Sequence, residues 1–387
     1  MAYSGSRRVQ NLPPYLFARI DRLIEEKKAQ GVDVISLGIG DPVEPTPDHI
    51  IEAHIEALRD PENHRYPSYT GLRAFRVAAA RWMEQRFGVS LDPDREILPL
   101  IGSKEGIAHT PWALVNEGEV VLVPNPAYPV YETATLLAGA EPYHLPLLEE
   151  NAFLADVRAV PTDIARRATL MFLNYPNNPT SATADLAYFS EVVEWARENG
   201  ILIAHDNAYS EITFGSYAAP SILEVEGARD IAIEFHSLSK SYNMTGWRIG
   251  FVAGNADAID ALGRLKTNID SGIFNPIQYA GIEALERGAA DIAAMVRIYE
   301  RRRERVWAFL DRVGLQYWKS DATIYVWVRV PDGETSESFT SYLLERAGVV
   351  VSPGSAYGHH GEGYIRISLT VPDSRLEEAV SRLESVL

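Results

Sequence analysis

The chain has 387 residues, enough for roughly two to three domains, and 46% of them are hydrophobic, enough for a substantial core. Its formal net charge of -17 argues against nucleic acid or an anionic membrane as principal partner, so an anionic substrate needs locally placed arginines. Cysteine is absent, which excludes disulfides and thiolate metal sites and fits a cytoplasmic protein.

The first ten residues are polar, with no apolar core of signal-peptide length, and no apolar run is long enough to span a bilayer. A helix is expected over Leu16 to Gln30, with Leu16, Ile20, Leu23 and Ile24 on one face and Gly31 at its stop. Val34 to Leu37 reads as a short strand running into Gly38-Ile39-Gly40-Asp41-Pro42. A dinucleotide fingerprint would need glycine at position 43, where Val43 stands, so that reading is rejected. Thr46 and Pro47 suggest an N-cap and first residue of the next helix. Arg65 to Gly71 is an aromatic turn-rich loop, and a helix follows over Leu72 to Phe87.

From there to about Ala253 strands alternate with helices, the pattern of a largely parallel sheet covered on both faces. Five polar motifs sit just beyond apolar strands: Gly102-Ser103-Lys104, Pro124 to Tyr128, Asn174 to Thr180, His205 to Tyr209, and His236 to Arg248. In an open α/β sheet the carboxyl edge of the strands is where ligands bind, so the five are expected to converge. After Asn255 the chain reads as mostly helical, including a long charged helix at about Asp291 to Val313 whose Arg301-Arg302-Arg303 suggests a solvated face. Strands at Thr323 to Val330, Val349 to Ser352 and Tyr364 to Thr370, with two further helices, suggest a small α+β domain. The expected division is a large domain over 46–284, and a smaller one made of 285–387 with the N-terminal 1–45.

The chemistry centres on Lys240. Ser237 and Ser239 precede it and Arg248 follows eight residues later. Hydroxyls and a guanidinium suit a phosphate, while the amine can form a Schiff base with an aldehyde. Pyridoxal 5'-phosphate carries both groups. Such a cofactor also needs a carboxylate beside its pyridine nitrogen, and Asp206, at the end of an apolar strand, is the candidate; an N-cap aspartate is the simpler alternative. Tyr209 and Asn178 can donate to the phenolic oxygen, although turn chemistry also explains Asn178. Tyr128 can stack on the ring, or be a packed core tyrosine. Ser103 and Lys104, between a strand and a helix, offer backbone N–H groups for the phosphate. In Tyr364 to Leu369, alternation puts Tyr364, Arg366 and Ser368 on one face, and Arg366 suits a carboxylate or a structural ion pair. No metal is required.

From about Tyr15 to Arg366 these motifs resemble the aspartate-aminotransferase family, the fold-type I pyridoxal-phosphate enzymes. The resemblance implies that Lys240 is the Schiff-base lysine and proton shuttle and Asp206 the pyridine partner. It implies Asn178 and Tyr209 at the phenolate, Tyr128 stacked on the ring, and Ser103, Lys104, Ser237, Ser239 and Arg248 at the phosphate. It further implies a homodimer in which Tyr66 reaches the neighbouring subunit's phosphate, with Arg366 on the substrate α-carboxylate. Within the family, Tyr15-Leu16-Phe17, Asn174 to Thr180, His236 to Phe251, Asp270-Ser271-Gly272 and Gly361 to Thr370 are most similar to LL-diaminopimelate aminotransferases. That similarity implies transfer of an amino group between LL-diaminopimelate and 2-oxoglutarate, with Tyr15, Gly40 and Asn275 lining the substrate site. Ser181 departs from the pattern, standing where the family usually has glycine. An aminotransferase for aspartate or alanine, or a carbon–sulfur lyase, would use the same cofactor contacts. A non-catalytic sensor fused to a DNA-binding domain is disfavoured by the short arm before Tyr15 and by the acidic charge.

Overall fold

Alternation along one strand shows how the main sheet is covered. In Val120–Asn125, Val120 and Leu122 pack with Phe75, Met83 and Phe189 on one face, while Val121 and Val123 join Ile107 and Leu262 on the other. A strand buried on both faces reads as a continuous apolar run, because helices cover both sides. The computed structural model describes residues 5–12 and 16–387.

The strands in chain order are β1 (Ile35–Ser36), β2 (Ile97–Leu100), β3 (Val120–Asn125), β4 (Glu141–Pro146), β5 (Ala168–Asn174) and β6 (Leu202–Asp206). They continue with β7 (Ala232–Ser237), β8 (Gly250–Gly254), β9 (Tyr325–Arg329), β10 (Val349–Val350), β11 (Ser352–Pro353) and β12 (Tyr364–Ser368). The main sheet has the order β2-β8-β7-β6-β5-β3-β4. Only β8 opposes its neighbours, pairing antiparallel with both β2 and β7. The carboxyl ends of β2, β3, β5, β6 and β7 therefore lie along one edge of this mostly parallel α/β sheet. Its neighbour, an antiparallel sheet of order β11-β12-β9, packs against the 25-residue helix Ala289–Val313 and the helices Ser336–Ala347 and Asp373–Glu384. β1 pairs in parallel with β10, which ties the N-terminal stretch to the end of the chain. Among the described residues, no helix is long and apolar enough to cross a membrane.

Two local expectations are corrected. Thr46 does not cap the helix Asp48–Arg59: Pro47 holds the N-cap position, and the Thr46 hydroxyl donates instead to Asn243 O at 2.8 Å. Nor do the three consecutive arginines form a solvated face. Arg302 and Arg303 are buried. Arg302 pairs with Glu44 and Asp373, and Arg303 donates to Ser320 O while its guanidinium lies 4.3 Å from the centroids of Phe214 and Trp307. Met295, Tyr299, Val306 and Leu310 share the inward face, so the stems of both arginines pack with them and their charges meet acidic partners.

Candidate active site

The sheet edge closes over a cavity of about 300 Å³. Its walls include Gly40, Ser103, Lys104, Tyr128, Asn178, Asp206, Tyr209, Ser237, Ser239, Lys240, Arg248 and Arg366. Twelve site residues expected from separate motifs are thus brought together. Tyr66 and Asn275 lie outside this cavity: Tyr66 is 87% exposed, and Asn275 begins the helix Asn275–Arg287. Tyr15 lies outside the described residues.

Lys240 sits in a single helical turn after β7, Leu238–Ser241, capped by the Ser237 hydroxyl, which accepts from Ser239 N–H at 3.2 Å. Its amine donates to Gly40 O. Burial, reinforced by the positive charges of Arg366 and Arg248 and opposed by Asp41, brings its pKa down to about 8. An amine in that range has a neutral fraction available as a nucleophile near neutral pH.

Asp206 ends β6 and is 6% exposed. Its Oδ2 accepts from the Tyr131 hydroxyl at 2.8 Å, while Oδ1 has no hydrogen-bond partner of good geometry among the described residues. Burial raises its pKa, and the Tyr131 bond, the charge of His205, the backbone N–H of Ala208 and the charge of His236 offset this only in part. Beneath it lies a second buried carboxylate, Glu234. His205 Nδ1–H and His236 Nε2–H each donate to it at 2.8 Å, and Ser221 and the Ile222 N–H add two more bonds. Burial pushes Glu234 up, but the two histidines more than reverse this and hold it below the usual carboxylate range. The buried charge is thus satisfied from four sides, which keeps β6 and β7 in fixed register under the site.

The side of the cavity lined by Ser103 and Arg248 is built from close approaches. Gly102 has φ +73° at the start of the helix Ser103–Leu114, and a side chain there would collide with the Arg248 guanidinium. Gly250 passes so near Ser103 N and His236 O that it too must lack a side chain. Arg248 is held by a 2.7 Å bond from Nη1 to Thr245 O. The Lys104 amine lies 5.6 Å from the Tyr128 ring centroid.

Arg366 is fully buried on β12. Nη1 donates to Asn178 Oδ1 at 2.6 Å and Nη2 to Gly38 O at 2.7 Å. Its guanidinium carbon lies 4.0 Å from the Tyr325 ring centroid. Tyr325 also shares a 2.9 Å hydroxyl–hydroxyl bond with Tyr209, whose pKa burial drives well above the usual tyrosine value. A side chain at Gly40 would strike the Tyr325 hydroxyl.

Sequence reasoning missed four participants. Tyr131, three residues beyond Tyr128, could have been found from helical spacing. Tyr325 could have been found from strand alternation, since Tyr325 pairs with Ser368 and shares its face with Arg366. Asn174, whose amide donates to Asp206 O at 2.7 Å and whose Oδ1 accepts from Asn178 N–H, belongs to a motif already noted, whereas Gly38 contributes only a carbonyl.

Comparison with known proteins agrees with this geometry. The chain is 56% identical over 387 residues to the LL-diaminopimelate aminotransferase of Desulforudis audaxviator, covering 100% of this chain and 99% of that one. It is 54% identical to that of Moorella thermoacetica, covering 99% and 98%. The substrate-bound structure of BacF from Bacillus subtilis superposes with a TM-score of 0.95 at 36% identity, covering 100% of this chain and 98% of that one. The sequence profile of aminotransferase class I and II matches residues 32–383, and the chain belongs to that family.

Proposed function

We propose that this aminotransferase uses pyridoxal 5'-phosphate to move the amino group of LL-diaminopimelate to 2-oxoglutarate in the cytoplasm. The observation that carries the cofactor reading is Asp206 Oδ1, a cavity-lining carboxylate oxygen that meets no side-chain donor among the described residues. A buried carboxylate oxygen facing a cavity, with a raised pKa, calls for a cationic N–H donor, and a protonated pyridine nitrogen is one. The other residues fit the same group: Lys240 for the aldehyde, Asn178 and Tyr209 for the phenolic oxygen, and Tyr128 for the ring face. Ser103, Lys104, Ser237, Ser239 and Arg248 would hold the phosphate. When bound, the cofactor supplies an electron sink.

The chain supplies the rest. Once exchanged for the substrate amine, the Lys240 amine would be placed to take the proton from the substrate α-carbon. Asp206 keeps its partner nitrogen protonated. Arg366 fixes the substrate α-carboxylate through its planar fork, on the wall opposite the phosphate cradle. Gly40 lines the cavity where the rest of the substrate would lie, and Tyr15 and Asn275 are assigned to the substrate by the resemblance alone. In this reading 46–284 form the cofactor domain, and 1–45 with 285–387 form the smaller one that closes the site.

The functional unit in this reading is a homodimer with shared sites. Tyr66 and Tyr69 stand exposed on a loop braced against Gly272, where a side chain would press on Ser68 O. Ile269, Phe274 and Tyr279 extend the exposed apolar surface toward Asn275. Such a patch suits a self-complementary interface that delivers Tyr66 and Asn275 to the partner's cavity.

The names borne by the relatives support LL-diaminopimelate as donor. A panel of LL-diaminopimelate, aspartate and alanine, each with 2-oxoglutarate, tests it. LL-diaminopimelate should exceed the others by about 100-fold in kcat/KM. Equal rates would reject the substrate, and ammonia release without glutamate would reject transfer in favour of elimination.

A further inference from the structure

Two residues near the site hold backbone conformations that side chains disfavour. Ser181 has φ +61° and Thr323 has φ +73°. For a β-branched residue such as Thr323 this is an outlier, and such strain persists only where surrounding contacts enforce it. Both residues are essentially fully buried. Ser181 ends the Asn174–Ser181 loop that carries Asn178, and Thr323 lies two residues before Tyr325, across the junction between the two sheets.

Their hydroxyls close a ring of hydrogen bonds on Tyr325. Tyr325 N–H donates to Thr323 Oγ1 at 3.2 Å, the two hydroxyls are 2.6 Å apart, and Ser181 Oγ donates to Tyr325 O at 3.0 Å. Serine has one proton, and it goes to Tyr325 O, so Thr323 supplies the proton between the hydroxyls. Every donor and acceptor in the ring then points one way round. The Ser320 hydroxyl adds a bond to Ser181 O, and Thr323 N–H donates to Ile212 O at 2.9 Å, so both strained residues are held from outside the ring as well.

We propose that Ser181 and Thr323 are positioning residues for substrate carboxylate binding, acting through Tyr325. The Tyr325 ring lies under the Arg366 guanidinium, and its hydroxyl bonds Tyr209 beside Gly40. A clamp on the Tyr325 backbone therefore sets three walls of the site at once. The proposal rests on the reading of the cavity as a transaminase site with Arg366 on the carboxylate. Glycine at 181 relaxes the backbone but removes the hydroxyl, which predicts loss of affinity without loss of fold.

The test uses the cofactor-loaded enzyme and the variants Ser181→Gly, Thr323→Val, Thr323→Ser and the Ser181→Gly/Thr323→Val double. The dissociation constant of glutarate, an unreactive dicarboxylate, and the KM for the amino donor should each rise about tenfold in Ser181→Gly and in Thr323→Val. The kcat should change less than about threefold, since the clamp touches no reacting atom. Thr323→Ser keeps the hydroxyl and should behave as wild type. The double variant should be no worse than about twofold beyond the weaker single, because both changes open one ring. Hydrogen exchange over residues 322–326 should quicken in the two hydroxyl-deleting variants; Tm of Ser181→Gly should stay within about 3 °C as relief of strain opposes the lost bonds, whereas Thr323→Val, still branched at positive φ, gains no such relief and should lose more. Glutarate affinity within twofold of wild type in both single variants, or fully additive losses, would overturn the proposal. Should wild-type enzyme neither transaminate nor bind glutarate, the site reading itself fails, and unchanged exchange over 322–326 would then still refute the clamp.

Discussion

Tyr131 donates its hydroxyl proton to Asp206 Oδ2, leaving Oδ1 turned to the cavity. The bond fixes which carboxylate oxygen is presented, and it lowers a pKa that burial raises. Tyr131→Phe keeps the ring and its stacking on Phe172 at 5.0 Å but deletes the bond. The rate at neutral pH should fall about tenfold. Removing a contact that lowers the Asp206 pKa must raise that pKa, so the acid limb of kcat/KM should move to higher pH; an unmoved limb would remove Tyr131 from this role.

Asp206→Asn preserves the shape of the site and removes its charge. Cofactor should still bind, with kcat reduced about 10²–10³-fold. Spectroscopic titration of the cofactor beside steady-state kinetics checks both halves, and near-normal turnover would sink the assignment.

Lys240 makes two predictions. In Lys240→Ala, borohydride should no longer fix cofactor to the chain and turnover should vanish. In the unloaded protein the pKa of about 8 lies below the ordinary lysine value of 10.5, so the folded state binds fewer protons than the unfolded state between those limits. This group therefore costs stability below about pH 8, and the cost fades as pH rises toward 10.5. Lys240→Met should raise Tm at pH 7, with a gain that shrinks on the alkaline side; a gain independent of pH would argue for packing alone.

His49 bridges Glu283 at 2.8 Å and Asp291 at 2.9 Å, joining three helices. Burial pulls its pKa down, but the bonds to Asp291 and Glu283 together raise it above 6.5. A raised pKa stabilises fully below the unfolded value and is lost as pH rises through the folded one. His49→Gln should therefore lower Tm more at about pH 6 than at about pH 8. Equal losses at the two pH values would contradict the clamp.

The shared-site reading is open to a mixing experiment. Tyr66→Phe and Lys240→Ala variants are combined under conditions of subunit exchange. If Tyr66 serves its partner's site, the mixed dimer has one doubly impaired site and one intact site, and activity should exceed the sum of the parents. Verified exchange without recovery would reject Tyr66 acting across the interface.

Much of this architecture was legible because buried strands advertise themselves. β3, β5, β6 and β7 are short apolar runs followed by turn and polar residues, and the polar residues lie at the edge where the sheet opens. β4 is quieter, with Pro142, His144 and Pro146 in an edge strand that needs no continuous apolar run. Arg302 and Arg303 were misjudged because charge was weighed before helical phase, although Tyr299 and Val306 flank them on the same face. Thr46 failed as a cap because a hydroxyl has several uses, and the carbonyl of Asn243, 197 residues away in sequence, is invisible locally. Tyr131 and Tyr325 sat inside apolar stretches where an aromatic usually means packing.

The pairing of β1 with β10 also has a temporal meaning. The nearby bond from Ser352 Oγ to Gly38 O joins residues 314 apart in sequence. At about 5–20 residues per second, a ribosome needs roughly 15–60 s to cover that distance. During this interval the strands that carry Asp206 and Lys240 emerge and can pair, whereas Gly38 waits for partners not yet made. Arg366, whose Nη2 binds Gly38 O, arrives later still. The strands of the cavity floor are thus made well before the strand that bears Arg366, the residue of the facing wall.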